Sequence, residues 1–152
     1  SHRNPDRVNY INAETLLKEN NINVKYSLSN ENISYENMIK TVVKSDDEEV
    51  KICASLFQGN RPRLVNLFGY ELDIVPNGIM FFIKNIDKPG VIGKIGTILG
   101  DSKINIKEFL LSKKKSSELA FSVVRLDSIP SQQVIQQINS LDEVQSIQLL
   151  NC

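Results

Sequence analysis

Asn85-Ile86-Asp87-Lys88-Pro89-Gly90-Val91-Ile92-Gly93, with Asn105 further on, holds the residue types in this sequence that could do chemistry. Asp87 offers an anion, and Asn85 and Asn105 offer neutral amides. Pro89-Gly90 lead into an apolar run with helical spacing. A helix starting there leaves backbone N–H groups, those of Val91 and Ile92, without intrahelical partners, and such groups hold carboxylates well. This set suits a small amino acid. Asp87 would take the ammonium, the N–H groups and one amide the carboxylate, and the other amide a hydroxyl. Asn105 is expected at the start of the strand after the helix, beside the turn, so that Asn85, Asp87 and Asn105 converge. The plain alternative is an ordinary strand-to-helix turn, since Asp favours a helix N-terminus and Pro and Gly favour turns.

Arg61-Pro62-Arg63 is a second candidate, because paired guanidinium groups bind phosphate or carboxylate. Its alternative is an edge strand kept soluble by charge. Arg125 shares parity with Leu119, Phe121 and Val123, so it ends an apolar stripe in a charge. It is either an anion ligand or a snorkelling strand-end residue. Lys113-Lys114-Lys115 reads as a solvated hairpin tip. His2 has no ligand partners around it, so no metal site is expected. Cys53 and Cys152 lie far apart in sequence, which reads as a reduced, intracellular, cytoplasmic protein, and neither has a nearby His, which argues against a cysteine nucleophile. No Gly-x-Gly-x-x-Gly follows a strand, so no dinucleotide site and no catalysis are expected in this chain.

These side chains need elements to position them. The 152 residues carry 18 basic and 18 acidic groups, a balance that gives nucleic acid no basic surface. No run approaches the roughly 20 apolar residues of a membrane span. The chain lacks an initial Met, and the expectation is a piece of a longer polypeptide. Residues 12–20 read as a short helix capped by Asn12, and residues 22–28 alternate as a strand. Strands are expected to end at Val42-Val43 and to span 50–57, 64–67 and 70–75, with an acidic tip at 45–49. Pro76-Asn77-Gly78 reads as a linker, which divides the chain into 1–76 and 77–152.

The second half reads strand 79–83, helix 89–101, strand 105–112, strand 118–126, helix 131–141, strand 144–150. That is βαββαβ, the ferredoxin-like order, with both helices on one face of an antiparallel sheet. The other face is left for a partner. About 75 residues is small for independent stability, so self-association is expected. Gly90, Gly93 and Gly96 leave one side of the first helix bare for close approach. The fold class is therefore α+β, a β-rich domain followed by a ferredoxin-like one.

The stretch from Asn85 to Gly93 followed by Asn105-Ile106-Lys107 resembles the ligand motif of an ACT domain. Phe68-Gly69-Tyr70-Glu71-Leu72-Asp73-Ile74-Val75-Pro76-Asn77-Gly78 and Val8-Asn9-Tyr10-Ile11-Asn12-Ala13 extend the likeness over nearly the whole chain. Together they resemble the C-terminal regulatory half of the bacterial D-3-phosphoglycerate dehydrogenases, an allosteric substrate-binding intervening domain followed by an ACT domain. The resemblance implies L-serine binding between ACT domains as feedback control of serine biosynthesis. It implies an effector site at Asn85, Asp87, Gly90, Val91, Ile92 and Asn105, although Asn85 stands where the family often has His or Tyr. It further implies an anion or phosphorylated-substrate site that includes Arg63 and Arg125, with Arg61 beside them. A homo-oligomer is implied, with an N-terminal NAD-dependent dehydrogenase body in the parent chain and no cofactor in this piece. The alternatives are the regulatory region of an iron–sulphur L-serine dehydratase, or an ACT-type oligomerisation module that binds nothing.

Overall fold

A computed structural model describes residues 9, 11–29, 35, 37–46, 48–115 and 117–152. The expected lead-in over 3–10 (Asn9 apart), His2, and most of the turn at 29–32 lie outside them. The chain divides into two units, Ser1–Asn32 and Ile33–Cys152.

In the first unit, helix α1 spans Ala13–Glu19 and buries none of its residues. Asn12 stands at the N-cap, but its side-chain oxygen accepts from the N–H of Asn9 instead of reaching forward into the helix. The strand expected over 22–28 is absent. Ile22, Val24, Tyr26 and Leu28 are all exposed, Leu28 fully. Alternation marks a segment able to form a strand, but pairing makes the strand, and none of the described residues of this unit pairs with it.

The second unit begins with a four-stranded antiparallel sheet in the order β1-β2-β3-β4. Its strands are β1 Met38–Lys44, β2 Glu49–Phe57, β3 Arg61–Leu67 and β4 Tyr70–Ile74. β3 is an inner strand from Leu64 onward, where β4 pairs with it, but Arg61-Pro62-Arg63 pair with β2 alone, so this stretch keeps the edge character expected of it and tolerates Pro62. Phe68 and Gly69, both at positive φ, form the two-residue turn between β3 and β4.

The second sheet takes β5 Ile79–Ile86, β6 Ile106–Lys113, β7 Leu119–Leu126 and β8 Val144–Asn151 in the order β6-β7-β5-β8, with helices α2 Val91–Asp101 and α3 Gln132–Asn139. This is the expected βαββαβ arrangement, and the chain is α+β. On one face, Phe81, Ile83, Val124 and Leu126 pack with Val91, Ile95 and Leu99 of α2 and Val134 and Ile138 of α3. Each such side chain removed from water stabilises the fold by about 1.5–3 kcal/mol. The opposite face is not left open. Met80, Phe121 and Val123 pack there against Leu67, Tyr70 and Ile74 of the first sheet.

α2 starts two residues later than expected. Gly90 is its N-cap, at φ +92°, and Pro89 precedes the helix. Its end falls at Asp101, as expected. Gly100 lies inside the last turn, and Lys103 takes the left-handed position at φ +56°. The Ile104 N–H donates to the Leu99 carbonyl and the Lys103 N–H to the Gly100 carbonyl. That pair of bonds closes the helix as a Schellman motif, with buried Ile104 as its apolar anchor.

Candidate functional site

β5 carries the chain to the Asp87 turn and α2 leads away from it. The turn is held by its backbone. The Asp87 N–H donates to the Glu118 carbonyl at 2.7 Å, and the Ile86 N–H to the Glu143 carbonyl at 2.7 Å. No side chain caps α2, so its first N–H groups, Ile92's among them, lie open, while that of Val91 makes a long 3.4 Å bond to the Lys88 carbonyl. A Cβ on Gly90, Gly93, Gly96 or Gly100 would meet nothing within 4 Å. The bare side of α2 is therefore unfilled among the described residues.

Lys94 of α2 reaches Glu143, just before β8, at 2.6 Å. That bond holds the Glu143 carboxyl below its ordinary value. It also orients the helix. At about 100° per residue, Ile92 and Gly96 lie on the flank away from Lys94. They look toward the β6 edge of the sheet. Ile92 there is 47% exposed and Leu111 of β6 is 45% exposed.

The three side chains expected to converge do not meet in one chain. β5 and β6 both run antiparallel to β7, so they are parallel to each other. Ile79 and Ile106 flank Leu126 at one end, and Asn85 and Lys113 flank Ala120 at the other. Asp87 sits at the Glu118 end. Asn105 sits at the Asp127 end, its N–H donating to Asp127 Oδ1 at 3.0 Å and its carbonyl accepting from the Asp127 N–H at 3.1 Å. Positions 118 and 127 are nine residues apart, roughly 30 Å of strand. The Asn105 N–H, with the Ser128 hydroxyl behind it, holds the Asp127 carboxyl below its ordinary value.

Asn85 is 2% exposed and its amide is engaged on both sides. Its oxygen accepts from the Ser122 hydroxyl at 3.0 Å, and its nitrogen donates to the Ile86 carbonyl at 2.9 Å. It braces the end of β5. Asp87 is bound too. Lys113 Nζ lies 2.6 Å from Asp87 Oδ2, with the two side chains half and one-third exposed. Sequence reasoning missed Lys113, because three consecutive lysines before a turn read as solvated and only the register of β6 carries one to Asp87.

The arginines are engaged separately. Arg63 pairs with Asp73 at 3.1 Å and lies over the Phe57 ring at 5.9 Å. Arg125 donates to the Val75 carbonyl at 2.8 Å and pairs with Glu108 at 3.2 Å. Arg61 is exposed. Cys53 is buried and Cys152 exposed, and both are free. Among the described residues no cluster of His, Cys, Asp and Glu could hold a metal, and no helix is long and apolar enough to cross a membrane.

Residues 2–68 match the family described as the D-3-phosphoglycerate dehydrogenase intervening domain, and residues 79–143 match the ACT domain. The chain is 31% identical over 144 residues to the D-3-phosphoglycerate dehydrogenase of Methanocaldococcus jannaschii, covering 95% of this chain and 27% of that protein. It is 27% identical over 144 residues to that of Bacillus subtilis, with the same two coverages. To that of Archaeoglobus fulgidus it is 26% identical over 141 residues, 91% of this chain and 27% of the relative. The chain thus spans about a quarter of the length of these curated relatives, which align with it at 27% of their own length.

Proposed function

The chain belongs to the family of D-3-phosphoglycerate dehydrogenase regulatory regions, an intervening domain followed by an ACT domain, and from that premise we propose that it senses a small amino acid, L-serine first among them. The domain boundary in this reading falls between residues 76 and 77. The parent would be an NAD-dependent dehydrogenase working in the cytoplasm, with its catalytic body N-terminal to this chain. Serine would feed back on that body by favouring one arrangement of a homo-oligomer.

One observation carries the reading: Asp87 and Asn105 lie at opposite ends of β6, and β6 is an edge strand. Antiparallel pairing of two β6 strands about a twofold axis sets the Lys113 end of each against the Ile106 end of the other. It draws the Asp87 turn of one copy toward Asn105 of the second, and it does so twice. Exposed Leu111 and Ile92 and the bare side of α2 border the same edge. Asp87 would hold the ammonium, and the open N–H groups beyond Gly90 would hold the carboxylate. With the Asn85 amide engaged, the hydroxyl would fall to Asn105 of the second copy.

The test is complementation. Asp87→Ala and Asn105→Ala chains are each expected to bind no serine in titration calorimetry. Unfolded and refolded together, they form hybrids with one intact site of two. Random pairing then restores about a quarter of the wild-type sites per chain. A site built within one chain would give none after mixing, and that result sinks the interface reading. If Asp87→Ala binds serine as wild type does, the assignment of the turn is wrong.

A further inference from the structure

Two of the three lysines expected to form a solvated tip have specific partners. Lys113 Nζ lies on Asp87 at 2.6 Å. Lys114, the next residue, reaches the β3–β4 turn. Its ammonium donates to the Phe68 carbonyl at 2.9 Å and lies 4.4 Å from the centre of the Tyr70 ring. Gly69 holds φ +81°, a conformation that favours glycine, and a Cβ there would stand 2.9 Å from Lys114 Nζ. Phe68 holds φ +55°, which bulky residues seldom adopt, and its ring meets Phe121 of β7 edge-on at 5.5 Å. Tyr70 stacks on the same ring at 5.3 Å. The turn is thus fastened to the second sheet by Lys114 and by Phe121.

We infer that Lys113 is an internal competitor for the effector's ammonium at Asp87, and that Lys114 carries its release to the β3–β4 turn. This deepens the amino-acid reading above and rests on it. The Lys113 ammonium and the α-ammonium of an amino acid are the same kind of donor, and each seeks the same carboxylate. Both cannot pair fully with Asp87, because two cations held there repel each other. Binding therefore displaces Lys113. Since Lys114 is its chain neighbour, the end of β6 shifts under the contact that fastens the first sheet. Phe68 closes the segment that matches the intervening domain, and Lys114 and Phe121 lie in the segment that matches the ACT domain, so the contact is a route by which an effector at one is felt at the other.

The experiment uses the full chain with L-serine, and glycine as a second probe. Lys113→Met removes the competitor and keeps the apolar stem. Because an exposed pair of this kind is weak, serine should bind about threefold tighter. Lys113→Arg keeps the cation and should bind as wild type does. Unchanged or weaker binding by Lys113→Met overturns the inference, because Lys113 would then be idle or would itself hold the effector's carboxylate. Hydrogen exchange over residues 66–71 reads the second half. Serine should speed exchange at the turn in the wild-type chain, and in Lys114→Met the turn should exchange fast with or without serine. A wild-type turn indifferent to saturating serine overturns the relay. A wild-type chain that binds neither amino acid removes the effector reading and this inference together, whereas binding that Lys113→Met does not tighten removes the inference alone.

Discussion

Replacing Arg125 by Met separates an internal strut from an anion ligand. The side chain is 19% exposed, and it gives one hydrogen bond to the Val75 carbonyl at 2.8 Å and one ion pair to Glu108 at 3.2 Å. A hydrogen bond from a charged donor contributes about 1.5–3 kcal/mol. The ion pair adds below about 1 kcal/mol, because Glu108 is 40% exposed. Arg125 Nε is buried without a partner, so its removal returns part of that. Met keeps the packing of the arginine stem beside Met80, the residue opposite it in β5. The net loss is about 2 kcal/mol. For a chain of this length that lowers Tm by roughly 4–8 °C. Urea unfolding followed by circular dichroism should show an earlier midpoint with an unchanged slope. The reasoning is refuted if Arg125→Met loses less than about 0.5 kcal/mol, the scale of an ordinary surface change. It is refuted equally if 3-phosphoglycerate stabilises the wild-type chain and Arg125→Met abolishes only that effect.

Two glycines near the Asp87 turn should respond in opposite directions. Gly90→Ala meets no neighbour but must hold φ +92°, so it should cost about 1–2 kcal/mol in thermal unfolding. Gly93→Ala meets no neighbour and is helical, so it should gain about 0.5–1 kcal/mol. Shifts of the same sign would show that the α2 start is formed differently. Asp127 has a folded-state pKa below its ordinary value, chiefly through the Asn105 N–H, so its stabilising contribution is present above the unfolded value and fades as pH falls through the folded one. Stability should hold from neutral pH to about pH 5 and decline below about pH 4. Asp127→Asn should decline less steeply over that window, and an unchanged acid limb would mean the Asn105 end of β6 is not held this way.

What the sequence determined by itself is local and repetitive. Residues 79–150 announce βαββαβ because helix and strand periods of 3.6 and 2 are written in the side chains. Pro76-Asn77-Gly78 and Phe68-Gly69 announce turns through backbone preferences that need no distant partner. The Asp87-to-Ile92 turn and its open N–H groups were legible for the same reason. What tertiary structure decided depends on who lies beside whom. Residues 22–28 carry strand alternation and form no strand, because a strand exists only by pairing. Asn85 reads as a ligand amide and is spent on Ser122, since sequence records an amide but not what packs around it. Lys113 and Lys114 read as solvated until the register of β6 and the β3–β4 turn gives each a partner. The separation of Asp87 from Asn105 was recoverable in principle: a helix that crosses between parallel strands returns the chain to the end where the first strand began. The strand order β6-β7-β5-β8 makes that separation the length of a strand and leaves β6 at an edge, where the proposed pairing with a second copy would complete the candidate site.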